Sequence, residues 1–185
     1  MKTGKVKDLM VPLEEYATVN EDASLYAAVL ALEEAQKKFH QDRYKHRAIL
    51  VLDKNQKVVG KLSQLDVIKG LEAGYKKMGD FKGISHTGFS TEFIKSMMDK
   101  YDLWQKPLED ICRRAPHIQV REVMHTPMEG EYVSLEASLD QALHQLVVDR
   151  QQSLLVTKNG EEIVGILRLT DVFQEVCEII KACAL

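Results

Sequence analysis

Two stretches of the chain carry the residue types that binding chemistry would need. The first is Gly60-Lys61-Leu62-Ser63-Gln64-Leu65-Asp66, a G-x-x-[S/T]-x-x-D pattern placed where an apolar strand-like run gives way to a helical one. A glycine at such a junction lets a ligand approach the backbone closely. The helix that follows begins with free N–H groups and a positive dipole end, a ready anion site. The Ser63 hydroxyl can meet a phosphate oxygen, and the Asp66 carboxylate can accept from two neighbouring hydroxyls of the kind a ribose offers. The same residues have a plainer use, because S-x-x-D ahead of an apolar helix is also a capping-box pattern. The stretch returns as Gly165-Ile166-Leu167-Arg168-Leu169-Thr170-Asp171, with arginine in the serine position. Hydroxyl capping is lost there, although a carboxylate near a helix start remains favourable. Arg168 either supplies a planar, permanently charged phosphate contact or fills the space with its own side chain.

The elements around these stretches are themselves duplicated. Val6-Lys7-Asp8-Leu9-Met10 opens one half and Val120-Arg121-Glu122-Val123-Met124 the other. An internal repeat of this kind governs the fold and makes the clefts between its copies natural ligand sites. Leu25, Ala28, Val29 and Leu32 fall on one helical face in the first half; Leu139, Ala142, Leu143, Leu146 and Val147 do so in the second. Ser24 and Ser138 are placed to cap these helices. Ala48–Leu52 turns through Asp53-Lys54-Asn55 into Val58–Leu62. Ser153–Val156 turns through Asn159-Gly160, a strong hairpin signal, into Ile163–Leu167. Closing helices carry Val67, Ile68 and Leu71, or Val172, Phe173, Val176, Cys177 and Ile180. The order strand-helix-strand-strand-helix is thus performed twice. Each copy of about 60 residues is marginal alone, so the two are expected to share a core.

Two features break the symmetry. The first copy has about nine extra residues around Lys37–Lys45, read as a helix extension or surface loop. Residues 73–119 belong to neither copy. Gly79, Gly83 and Gly88 mark a flexible start. Phe93, Ile94, Met97, Met98 and Tyr101 then form the stripe of an amphipathic helix capped by Ser90 or Thr91. That stripe either packs on its own module or receives a partner.

Composition narrows the function classes. The chain has 185 residues, 45% of them apolar, enough for a sizeable core. A net charge of −3 gives no basic footprint for nucleic acid. No run reaches the length of a membrane span and no signal peptide is evident, so a cytoplasmic location is expected. Three cysteines form no CxxC pair and read as reduced thiols, and six histidines form no metal-ligand spacing. There is no G-x-S-x-G elbow, no G-x-x-x-x-G-K loop and no paired His–carboxylate motif, so no enzyme activity is expected.

On the repeated element order, the V-x-x-x-M openings and the two strand–helix junctions, the chain resembles a tandem pair of CBS (cystathionine-β-synthase) domains, a Bateman module. The resemblance covers residues 5–72 and 119–182 and leaves 73–119 as a linker. It implies an α/β (α+β) fold of two pseudo-symmetric β-α-β-β-α repeats packed sheet to sheet. It further implies clefts that bind AMP, ADP, ATP or S-adenosylmethionine as regulatory ligands, and a homodimer. In the family motif the serine or threonine touches phosphate and the aspartate holds ribose, which carries over to Ser63 and Asp66, and in the second copy to Asp171 but not Arg168. Gly60 belongs to the same motif. Thr18 and Val19, Tyr132 and Val133, and Ala48 and Ile49 lie on segments that border the base in the family. The sequence favours the Ser63/Asp66 site and leaves Arg168 open as contact or plug. Two functions follow. One is a stand-alone nucleotide-sensing regulatory module acting on an unidentified protein. The other is a structural dimerisation protein with vestigial clefts.

Overall fold

The computed structural model describes residues 4–38, 45–78 and 88–183. Most of the Lys37–Lys45 extension, with Gly79 and Gly83, lies outside them.

Each half folds in the order that its apolar periodicity dictates. In the first, β2 (Thr18–Asn20), α2 (Leu25–Lys38), β3 (Ala48–Leu52), β4 (Val58–Ser63) and α3 (Gln64–Leu71) form a sheet of order β2-β3-β4 with its helices. In the second, β5 (Tyr132–Ser134), α7 (Leu139–Val148), β6 (Ser153–Lys158), β7 (Glu162–Arg168) and α8 (Leu169–Cys183) repeat it. In both sheets the first pair is parallel, across a helical crossover, and the second is an antiparallel hairpin. Ser24 and Ser138 cap α2 and α7 by accepting from Ala27 N and Gln141 N. Asn159 and Gly160 both take positive φ in the β6–β7 turn, as the Asn-Gly pair requires.

The openings do not stay with the copies they precede. Helix α1 (Val6–Leu9) and β1 (Val11–Pro12) pack on the second half: Val6 N donates to Ala137 O at 3.0 Å, and β1 pairs antiparallel with β7. Conversely Val120 N donates to Ala23 O at 2.9 Å, and His125 exchanges both backbone hydrogen bonds with Lys61 on β4. Val6 sits in the core of the second half, and Ile118 and Val120 in that of the first. A third cluster, with Leu50 of β3 against Leu155 of β6, Val11 and Ile166, joins the two sheets.

The linker carries α4 (Gly74–Lys77), α5 (Thr91–Lys100) and α6 (Leu108–Cys112). Ser90 caps α5. Phe93 and Ile94 are exposed on α5, whereas Leu103 is buried beyond it. Glu72 fixes the return by accepting from Gly74 N at 3.0 Å and Trp104 N at 3.1 Å. The three cysteines are free thiols.

The crossing segments explain both junction glycines. A Cβ on Gly165 would lie 2.4 Å from the backbone oxygen of Val11, while one on Gly60 would lie 2.4 Å from Met124 Sδ, the end of a flexible side chain. Gly165→Ala is therefore expected to destabilise by about 1–3 kcal/mol, and Gly60→Ala by clearly less. Urea unfolding of both variants checks this; an equal or reversed order would show that the β1–β7 approach is not the tighter constraint.

Candidate functional site

Where the two halves face each other, both strand–helix junctions open onto one cleft of about 570 Å3. Ser63, Asp66 and Ala48 line it from the first half, and Ser153, Arg168 and Thr170 from the second. The other sequence-singled positions lie elsewhere. Val19 and Ile49 pack into the first core, Val133 into the second, and Tyr132 against the cluster between the sheets. None of these, nor half-buried Thr18, lines the cleft. Gly60 does not line the cleft either, and a Cβ there would meet Met124 and the backbone of His125.

The two aspartates of the repeat stand in opposite states. Around Asp66 the capping box is complete. Ser63 N and Ser63 Oγ donate to Asp66 Oδ2 at 2.9 and 2.6 Å, and Asp66 N donates back to Ser63 Oγ at 3.2 Å. The serine hydroxyl is thus engaged within the box, but Asp66 Oδ1 accepts nothing from the described residues while its side chain borders the cleft. Asp171 has no such oxygen left. Arg168 Nε donates to its Oδ2 and Arg168 Nη2 to its Oδ1, both at 2.5 Å, in a buried bidentate pair. Behind this pair His46 is fully buried, 3.4 Å from Arg168 Nη1 and edge-on to the Tyr16 ring. Burial in that corner pushes the Tyr16 hydroxyl up to about 12, the field of Arg168 opposing it.

A second polar group was not foreseen from sequence. Lys61 Nζ donates to Glu131 Oε2 at 2.9 Å and reaches Ser153 Oγ at 3.5 Å; His125 Nε2 meets Glu131 Oε1. A His–carboxylate pair thus exists, formed by side chains the motif search did not connect. Burial alone would raise the Glu131 carboxyl, but the His125 and Lys61 contacts outweigh it and hold the group below the ordinary carboxylate range. The repeat register makes the group conspicuous. Lys61, His125, Glu131 and Ser153 align with Ile166, Val11, Ala17 and Ala48, all apolar. That position-by-position contrast between copies was the available signal. No group of His, Cys, Asp and Glu among the described residues is arranged to hold a metal ion.

A family model for the CBS domain matches residues 6–73 and 120–178, and so recognises both copies. The chain belongs to the CBS-domain family. The CBS pair has the mixed α/β architecture of solved relatives. One is a CBS domain-containing protein of unknown function from Bacillus anthracis, 20% identical, with 95% of this chain and 94% of that one covered and a TM-score of 0.61. Another is CBSX2 in complex with AMP, 19% identical, covering 95% and 97%, with a TM-score of 0.57. A third is the CBS domain of a bacterial CNNM/CorC family Mg2+ transporter in complex with ATP, 14% identical, covering 94% and 87%, with a TM-score of 0.57. Among curated proteins no sequence match was found. No described helix of this CBS pair is long and apolar enough to cross a membrane.

Glu131→Gln leaves Lys61 buried without its carboxylate and is expected to cost about 3 kcal/mol at pH 7. Because the folded Glu131 carboxyl lies below its unfolded value, its contribution is present above roughly pH 4.3 and is lost as pH falls through the folded value. Denaturation of variant and wild type from pH 7 to pH 3 should therefore converge at the acid end. A gap independent of pH would mean that the carboxylate charge is not what stabilises the cleft floor.

Proposed function

We propose that this CBS pair is a regulatory module that binds one adenosine nucleotide per chain, in the half of the cleft built around Asp66. The observation that carries the reading is the contrast between the two aspartates. Asp66 retains a carboxylate oxygen for ribose hydroxyls, whereas Asp171 is saturated by Arg168. Ser63 acts here as a positioning residue that holds Asp66, and Arg168 as the plug of the second half. Solved relatives in complex with AMP and with ATP support the adenosine class. Bound ligand signals by its differential affinity for alternative arrangements of the two halves or of paired chains. The crossed openings carry such a change, since each half is partly built from the other's lead-in segment. The surface available to report it to a regulated protein is α5, where Phe93 and Ile94 are exposed.

A second reading rests on a different observation. Leu65, Ile68, Phe173 and Ile180 are exposed on α3 and α8, the helices that close the two halves, although their apolar pattern predicts burial. They fit a second copy of the chain, and a structural dimer would use this face whether or not the cleft binds.

Thermal unfolding with adenine and guanine nucleotides separates the readings, because a ligand of the native state raises the midpoint by mass action. An adenine-specific rise is expected. Asp66→Asn keeps a capping acceptor but weakens binding by about tenfold or more, while Asp171→Asn leaves ligand affinity unchanged. If no nucleotide shifts the midpoint at millimolar concentration, and Phe173→Glu halves the molar mass in solution, the structural reading replaces the first.

A further inference from the structure

Residues 73–119 belong to neither copy, yet they are fastened to the end of α3. Glu72, the C-cap of α3, accepts from Gly74 N with Oε1 and from Trp104 N with Oε2. One carboxylate thus ties the chain leaving α3 to the chain returning from α5. Arg114 Nη1 donates to Leu71 O at 3.3 Å, so the far end of the linker is held at the same place. Within α5 only Met97 and Met98 are half-buried, and the rest of the helix is exposed. Much of its hold on the module therefore lies in its last turn and in the residues that follow.

Those residues are strained. Leu103 N donates to Met98 O at 2.9 Å, closing a helix end in which Asp102 takes φ +52°, at a place where glycine is usual. Trp104 follows with φ +57°, an outlier for a bulky side chain. Such backbone persists only where its surroundings hold it. Trp104 is held by Glu72 through its backbone and by Tyr75 through its ring, the indole Nε1 donating to Tyr75 Oη at 3.1 Å. Gly74 supplies the room: a Cβ there would collide with the Leu103 side chain and lie 2.7 Å from Tyr101 O. Glu72 and Trp104 are both only half-buried. A strained turn held by half-buried polar bonds has an open alternative close in free energy.

We infer that the linker is a strap whose closure is coupled through α3 to occupation of the cleft: nucleotide at Asp66 fixes α3, and Glu72 then closes the strap and sets α5 in place. The inference rests on the assignment of the nucleotide to Asp66. Asp66 and Glu72 stand at the start and the end of the same eight-residue helix, about 9 Å apart along its axis. A helix this short is marginal alone, and its two ends order cooperatively. A ligand that holds the start thus favours the ordered end that presents Glu72. Such coupling is reciprocal, so loosening the strap weakens nucleotide binding by the same factor.

Trp104 is the chain's one tryptophan, so its emission reports the strap directly. Emission, hydrogen exchange and nucleotide affinity are measured in wild type, Glu72→Gln and Gly74→Ala, with AMP and with ATP. The unfolding midpoint of each variant serves as the folding control. Both variants are expected to shift the emission to the red and to speed exchange at Leu103 and Trp104 about tenfold. In wild type, bound nucleotide should slow the same amides about fivefold or more. Both variants should bind nucleotide more weakly by that factor, although neither residue lines the cleft. Unchanged emission and exchange in both variants overturn the strap. Variants that open the strap but keep wild-type affinity, with nucleotide leaving the linker amides unmoved, overturn the coupling and leave the nucleotide site standing. If neither nucleotide binds, the coupling falls together with the proposed function.

Discussion

The exchange of opening segments is the constraint on which the rest of this structure depends. Each half completes its core with residues that precede the other half in sequence, Val6 in one and Val120 in the other. Each exchange also brings an extended backbone onto a strand of the opposite sheet, β1 on β7 and His125 on β4. That approach is close enough to demand glycine at residue 165, while at residue 60 the nearest neighbour is the flexible Met124 side chain. Two marginal units thereby become one body with a shared apolar seam. The cleft exists because the exchange fixes where the two strand–helix junctions face one another.

Within that symmetric frame the chemistry is unsymmetric. One junction, bordering the cleft, ends in a capping box that engages a single carboxylate oxygen; the other ends in a buried ion pair that satisfies its carboxylate twice. A buried Arg–Asp pair is costly to form and costlier to break, because either partner alone would be left charged in a dry site. A nucleotide competing for Asp171 would have to strand Arg168. At Asp66 a ligand displaces no protein bond to Oδ1. The polar group of Lys61, Glu131, His125 and Ser153 extends the asymmetry to the cleft floor, where the repeat-related positions are apolar.

Much of the fold was legible because duplication doubles the signal. Periodicity, the caps at Ser24 and Ser138 and the Asn159-Gly160 turn are local properties, and local chemistry sets them. The exchange was not legible, because a V-x-x-x-M segment has the same apolar pattern whichever core receives it. The site was legible in part. Ser63 and Asp66 announced a capping box and a carboxylate, but whether Asp171 was open depended on the rotamer of Arg168. The packing of Met124 over Gly60 was not legible, because a side chain close to the backbone leaves the same small residue in the sequence as a ligand would. The Lys61–Glu131–His125 group joins residues 70 and 6 positions apart, too irregular for a motif. Only comparison of the copies, residue against residue, marks it.

On the proposed function, one half of the cleft binds and the other is closed by the chain's own ion pair. Calorimetric stoichiometry with the tightest adenine nucleotide is the decisive measurement. Saturation is expected at one nucleotide per chain. Two equivalent nucleotides per chain would contradict it, since the second would have to take Asp171 from Arg168.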